Sequence, residues 1–204
     1  MSDTNPDGAH DAGPEVVRYE AHGGAARITL DSPHNRNAIS TALVEQLHTA
    51  LDRAAEDDAA RVVVLGHTGG TFCAGADLSE ASASGGRPEE QAAERTRVFL
   101  DLLRAIIAHP KPVIAAVDGH VRAGGMGLVA ACDLAVAGPS STFALTEVRL
   151  GLAAAMISVP LAARIISRDL ARALLTGEKF DAGHAHRIGL LTAAVENVPD
   201  AVDD

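Results

Sequence analysis

Val113-Ile114-Ala115-Ala116-Val117-Asp118-Gly119-His120-Val121-Arg122-Ala123-Gly124-Gly125-Met126-Gly127 is the stretch on which the fold turns. Its five leading apolar residues show no alternation, which suits a strand buried on both faces. The glycine-rich turn that follows runs into Leu128–Ala131, which reads as a helix. An earlier segment repeats the plan. Val62-Val63-Val64-Leu65 leads through Gly69 and Gly70 into Thr71-Phe72-Cys73-Ala74-Gly75-Ala76-Asp77-Leu78. Leu134–Ala137 is a further short buried strand. Strands that alternate with helical patterns predict an α/β fold with largely parallel pairing.

Upstream, Val16–Tyr19 and Ala26–Leu30 flank His22-Gly23-Gly24 and predict a β-hairpin. Leu43, Leu47 and Leu51 recur every four residues between Ser40 and Asp57, a helix with Ser40 as its N-cap. Ser79–Arg87 contains Gly and Ser and reads as a mobile loop. Pro88-Glu89-Glu90 is an acidic first turn, and Phe99, Leu102, Leu103 and Ile106 form the buried stripe of its helix, with Ile107 on the flank. Beyond Ala137 the pattern is mostly helical, with one last strand candidate at Leu191–Val195. Residues 1–14 are polar and rich in Gly and Pro, so they read as a disordered tail before one core domain at 15–204. No repeat of fixed period is visible.

Of the 204 residues, 47% are hydrophobic but only 2% aromatic, with one Tyr and no Trp. The core must be built mainly from Ala, Val, Leu and Ile. The platforms on which single-stranded nucleic acid stacks are scarce. A net charge of -10 further argues against a polyanion partner. Cys73 and Cys132 form no spaced cluster, so neither a disulfide nor a zinc framework is expected, and a reducing compartment is. His184 and His186 lie two apart, on different faces of a helix, and no metal site is expected from them. With no signal-peptide pattern and no apolar run long enough to span a bilayer, the expectation is a soluble cytoplasmic protein that makes no membrane contact.

Both glycine-rich turns follow a buried strand, where small residues allow a ligand to approach backbone N–H groups. The second also feeds a helix N-terminus, which favours developing negative charge. Tight connection alone is the alternative for either turn. A dinucleotide site is disfavoured, because the G-x-G-x-x-G order is missing, and no P-loop sequence occurs.

Taken in order, a set of segments resembles the enoyl-CoA hydratase/isomerase (crotonase) superfamily. They are Arg27-Ile28-Thr29-Leu30, Asn35-Arg36-Asn37-Ala38, Phe72–Leu78, Lys111–Gly119 with Gly124-Gly125, Cys132-Asp133, Phe143–Gly151 and Leu175–Phe180. The resemblance covers residues 16–198. Gly127–Asp133 and Thr146–Leu152 resemble the bacterial methylglutaconyl-CoA hydratase-like branch. The family implies a spiral of β-β-α units, here without the usual C-terminal helices. It also implies an oxyanion hole for a thioester enolate, whose backbone donors fall on Ala76 and Gly124.

Of the two glutamates typical of its hydratases, one falls on Glu147 and the other on Gly127, which has no side chain. Glu147 is therefore implied as the one acid/base group; a carboxylate starting a short helix is the alternative. Asp77 and Asp118 read as turn residues, and Cys73 as packing. Arg36 matches a family position near coenzyme A, or is a solvated loop arginine, and backbone around Ala38 and Ala74 is implied to hold pantetheine and adenine. No permanently bound cofactor is expected, since coenzyme A belongs to the acyl-CoA substrate, and a homo-oligomer (trimer or hexamer) is implied. The implied activity is that of an enoyl-CoA hydratase (lyase) or isomerase. A non-catalytic acyl-CoA-binding or partner protein on the same scaffold is the alternative.

Overall fold

The computed structural model describes residues 14–83 and 87–203. β1 (Val17–His22) and β2 (Ala25–Leu30) form the expected antiparallel hairpin. The chain then repeats one plan three times, each time delivering a pair of strands. The pairs are β3 (Val62–His67) with β4 (Thr71–Cys73), β5 (Val113–Val117) with β6 (His120–Arg122), and β7 (Leu134–Ala137) with β8 (Thr142–Ala144). Near the end come β9 (Phe180–Asp181) and β10 (Ala193–Ala194). The first member of each pair joins a six-stranded sheet in the order β1-β2-β3-β5-β7-β10, and the second joins a four-stranded sheet in the order β4-β6-β8-β9. Strands 2 to 5 of the large sheet pair in parallel, as the continuous apolar runs predict.

The helices are α1 (Thr41–Glu56), α2 (Leu78–Ala83), α3 (Pro88–Ile107), α4 (Gly124–Ala131), α5 (Ala155–Ala162), α6 (Ser167–Thr176), α7 (Ala182–Arg187) and α8 (Val198–Asp203). Ser40 Oγ accepts from the Leu43 N–H at 3.2 Å, so α1 starts at the expected cap. Lys111 Nζ closes its other end by donating to the carbonyls of Ala54 and Asp57 at 2.6 Å. Leu47, Leu51, Leu102, Leu103 and Ile106 are buried, each worth about 1.5–3 kcal/mol of burial. Phe72, Phe143 and Met126 fill the core, fully buried. No helix among the described residues is long and apolar enough to cross a membrane.

Four expectations need correction. The loop expected over Ser79–Arg87 begins as α2, because Asp77 Oδ1 caps it, accepting from the N–H groups of Ser79 and Glu80 at 3.0 and 3.4 Å; residues 84–86 lie outside the described residues. The glycine-rich turns contain β4 and β6, and the mostly helical C-terminal part contains β8 and β9. The last strand is two residues long, and the acidic stretch after it is the helix α8. The expected tail lies, but for Pro14, outside the described residues.

Candidate active site

Three turns converge. In the first, Arg36 and Asn37 both take the left-handed conformation, with φ of 60° and 52°. Asn is one of the few residues that tolerate this, and Asn37 is fixed by its buried amide. Its Oδ1 accepts from the Ser32 N–H at 2.7 Å, and its Nδ2 donates to the carbonyls of Thr68 and Thr71 at 3.1 and 2.7 Å. The turn thereby binds the start of the second one. From there the two run side by side: Ala74 N–H donates to Arg36 O, Ile39 N–H to Gly75 O, and Asp77 N–H to Ile39 O. This zipper uses the N–H groups of Ala74 and Asp77 and passes over that of Ala76, an exposed residue.

The third turn leads into α4. Ala123 stands before it with φ 48° and ψ -123°. For a residue with a Cβ this backbone costs about 1–3 kcal/mol, and the surroundings hold it. Its N–H donates to Ala144 O at 3.0 Å and its carbonyl accepts from Met126 N–H at 2.9 Å. Gly75 packs directly beneath: a Cβ there would lie 2.7 Å from Ala123 Cβ and 3.5 Å from Gly124 N. No side chain fits, so the second and third turns touch through their backbones. Among the described residues neither the Ala76 nor the Gly124 N–H is donated to any partner. The Gly124 N–H also belongs to the first turn of an eight-residue helix, whose dipole favours negative charge.

Glu147 follows β8 and starts a short 3-10 turn, Glu147–Leu150. It stands three residues after Ala144, the residue that accepts from Ala123, so one strand end supports both the turn and the carboxylate. Its Oε2 is buried, with no hydrogen-bond partner among the described residues. Burial holds its carboxyl above the ordinary carboxylate range, opposed only by a bond to its own backbone N–H. A buried acceptor without a protein partner is rare in folded proteins, which makes Glu147 a candidate functional group.

Gly127 is more than a missing side chain. A Cβ there would overlap Ile157 Cγ2 and lie 3.0 Å from Ile157 Cβ, with Leu103 Cδ1 at 3.7 Å. The space for a second acid is filled with hydrocarbon from α5 and α3. Gly127→Ala should therefore destabilise the protein by about 1–3 kcal/mol through overpacking. Ile157→Ala in the same chain should recover most of that loss. Urea titration of the single and double variants checks this; additive losses would contradict it.

The remaining residues fall as follows. Arg36 is exposed and makes no side-chain bond among the described residues, while its carbonyl holds Ala74. Ala38 is buried, and Asn35 Oδ1 accepts its N–H at 3.4 Å. Asp77 is held low by the Ser79 hydroxyl above all, and Asn35 Nδ2 donates to its other oxygen at 3.1 Å, so it organises the turn. Asp118 accepts from Ser140 Oγ at 2.7 Å. Burial pushes the Cys73 and Cys132 thiols up to about 12, far from a thiolate nucleophile. His184 packs against Phe180, and His186 Nδ1 lies 3.2 Å from Leu191 O; no group of three or more His, Cys, Asp or Glu among the described residues is placed to share a metal. A groove of about 280 Å³ lies between α1 and α3, lined by Ile39, Val44, Val98 and Phe99 together with the charged Glu45, Glu80, Glu94 and Arg95. It adjoins the third turn, since a Cβ on Gly124 would meet Ile39 Cδ1 at 2.6 Å and Phe99 Cζ at 3.5 Å.

Sequence reasoning passed over Asn37, Arg122, Ala123 and Ile157. Only Asn37 had a signal, an Asn followed by Ala in a turn, where left-handed backbone is common.

A model of the family Enoyl-CoA hydratase/isomerase matches residues 20–202. Over 195 residues the chain is 32% identical to enoyl-CoA hydratase domain-containing protein 3, mitochondrial, of Rattus norvegicus, covering 94% of this chain and 64% of that protein. The Mus musculus protein of the same name is matched over 60% of its length. The chain thus spans less than two thirds of these curated relatives. Among solved structures, an enoyl-CoA hydratase from Mycobacterium avium is 55% identical, with a TM-score of 0.85 over 94% of this chain and 74% of that one. An enoyl-CoA hydratase from Mycobacterium smegmatis is 34% identical, with a TM-score of 0.88 over 93% and 74%. The architecture is shared with these crotonase-fold proteins. With a family match over residues 20–202 and an architecture shared with solved structures at 55% and 34% identity, the protein belongs to the enoyl-CoA hydratase/isomerase family.

Proposed function

We propose that the chain is an enzyme that binds an enoyl thioester of coenzyme A and moves its double bond, using Glu147 as the single acid/base group. The thioester oxygen lies between the N–H groups of Ala76 and Gly124. Negative charge grows on that oxygen when a proton leaves the neighbouring carbon. Fixed donors that need no reorganisation are worth about 3 kcal/mol each at that moment. Glu147 takes the proton from one carbon and returns it to another. The acyl chain runs into the groove between α1 and α3, and Arg36 meets a phosphate of coenzyme A. A homo-oligomer belongs to this reading, and Leu152, Val159 and Leu175 are exposed and available to its interface.

The observation that carries the choice of reaction is the packing at Gly127 beside the unpartnered Glu147. Hydration in its two-carboxylate form divides water activation and proton delivery between two groups. Here the second position holds hydrocarbon, which favours proton transfer between carbons. Hydration by Glu147 alone, acting as base and then acid on one water, is the second reading, favoured by the names of the relatives. Separate assays of 2-enoyl- and 3-enoyl-CoA decide between them. Double-bond migration should exceed hydration at least about tenfold, a barrier difference of about 1.4 kcal/mol. Faster hydration would overturn the isomerase reading, and binding without either reaction would make the protein a non-catalytic acyl-CoA binder.

A further inference from the structure

We propose that Arg122 is a positioning residue whose guanidinium locks β6 to β8 and thereby aims the Gly124 N–H. The proposal rests on the oxyanion reading of Gly124 given above. Arg122 Nη1 donates to the carbonyls of Val121 and Thr142 at 2.8 and 2.6 Å, and Nη2 donates to Thr142 Oγ1 at 2.8 Å. The Thr142 hydroxyl also lies 2.9 Å from His120 Nδ1, a second contact between β6 and β8. A single planar fork thus holds both strands at the last residue of β6.

The next residue is Ala123, in its strained conformation, and the one after is Gly124. A backbone held in a sparsely populated region persists only when its neighbours over-determine it. On the C-terminal side, Ala123 is held by the Met126 N–H; across the sheet, by Ala144 O. Arg122 supplies the N-terminal anchor, one peptide before the strain.

Its presence is otherwise hard to account for. Arg122 is half-buried and forms no ion pair with any carboxylate among the described residues. Burial, and after it the like charge of Arg149, lower its pKa from the ordinary arginine value. An apolar side chain would avoid that burial cost. What an apolar side chain lacks is the set of donors, and the three bonds all go to β6 and β8.

The test compares wild type with Arg122→Met by two readouts. One is the amide resonance of Gly124 in the free, isotope-labelled protein. The other is turnover together with the absorbance of bound 3-phenylpropenoyl-CoA, whose band moves to the red when its carbonyl is polarised. Arg122→Met should displace the Gly124 amide, abolish the red shift, and lower kcat about 10- to 100-fold, part of the loss seen when one such donor is removed. KM should change less than about threefold, since the donor bonds the neutral ground-state carbonyl far more weakly than the developing oxyanion. An unmoved Gly124 amide with full kcat would overturn the proposal. If wild type neither shifts the absorbance nor turns over, the oxyanion reading fails, while the amide comparison still decides the clamp. Should Arg122→Met not fold, Thr142→Val removes the Oγ1 acceptor alone; a displaced Gly124 amide supports the clamp and an unmoved one overturns it.

Discussion

Glu147→Gln should lower turnover by about 10²- to 10⁴-fold, the usual contribution of a positioned acid/base group. Affinity for a saturated acyl-CoA should stay within about twofold, because Gln keeps the shape of the side chain. The physical basis is the environment of the carboxyl: Oε2 is buried without a partner among the described residues, and burial favours the neutral form. The same fact sets a stability signature. A carboxyl whose folded-state pKa is raised contributes stability fully below its unfolded pKa, and that contribution is lost as pH rises through the folded value. Glu147→Gln never ionises. It should therefore melt above wild type at about pH 8, and the gap should close as pH falls to about 4. Equal turnover in both proteins would remove Glu147 from the chemistry.

The second large effect is expected at Gly124. Gly124→Pro deletes the N–H, and as the first residue of α4 it is a position where proline suits a helix. Loss of one donor to a developing oxyanion should reduce kcat by about 10²- to 10³-fold. Any side chain here also presses on Ile39, since a Cβ would lie 2.6 Å from its Cδ1. Gly124→Ala is the control that carries the same Cβ and retains the N–H. Ile39 Cδ1 is the far end of a flexible side chain and can give way. The alanine variant should keep most of the activity that the proline variant loses; equal losses would assign the effect to crowding.

How much of this was legible in the chain depends on the residue. β3, β5 and β7 stand out as unbroken apolar runs, because both faces of a parallel sheet are covered. β4, β6, β8 and β9 are two or three residues long, too short to show any period, and exist only because a neighbouring strand supplies the ladder. The threefold strand-pair plan left no sequence repeat, since it is carried by topology and not by residue identity. α2 did have a signal, Asp77 with Glu80 three residues on, but the following glycines and serines obscured it.

At the site, the N–H groups of Ala76 and Gly124 and the carboxylate of Glu147 came from motif order. What the fold added is why they stand as they do. Gly75 must lack a side chain for the turns to touch, and Ala123 takes a backbone angle no sequence pattern predicts for alanine. Ile157 was invisible in sequence because its meeting with Gly127 spans thirty positions and depends on how α4 and α5 pack.

The most direct test of enolate stabilisation by the paired N–H groups with Glu147 as base is proton exchange in D₂O. A 3-enoyl-CoA incubated with wild type should acquire deuterium at C2 and C4, read by NMR, while Glu147→Gln and Gly124→Pro bring exchange down towards the buffer rate. Exchange that persists undiminished in both variants, or a wild type that binds the thioester yet shows neither exchange nor double-bond migration, would contradict it.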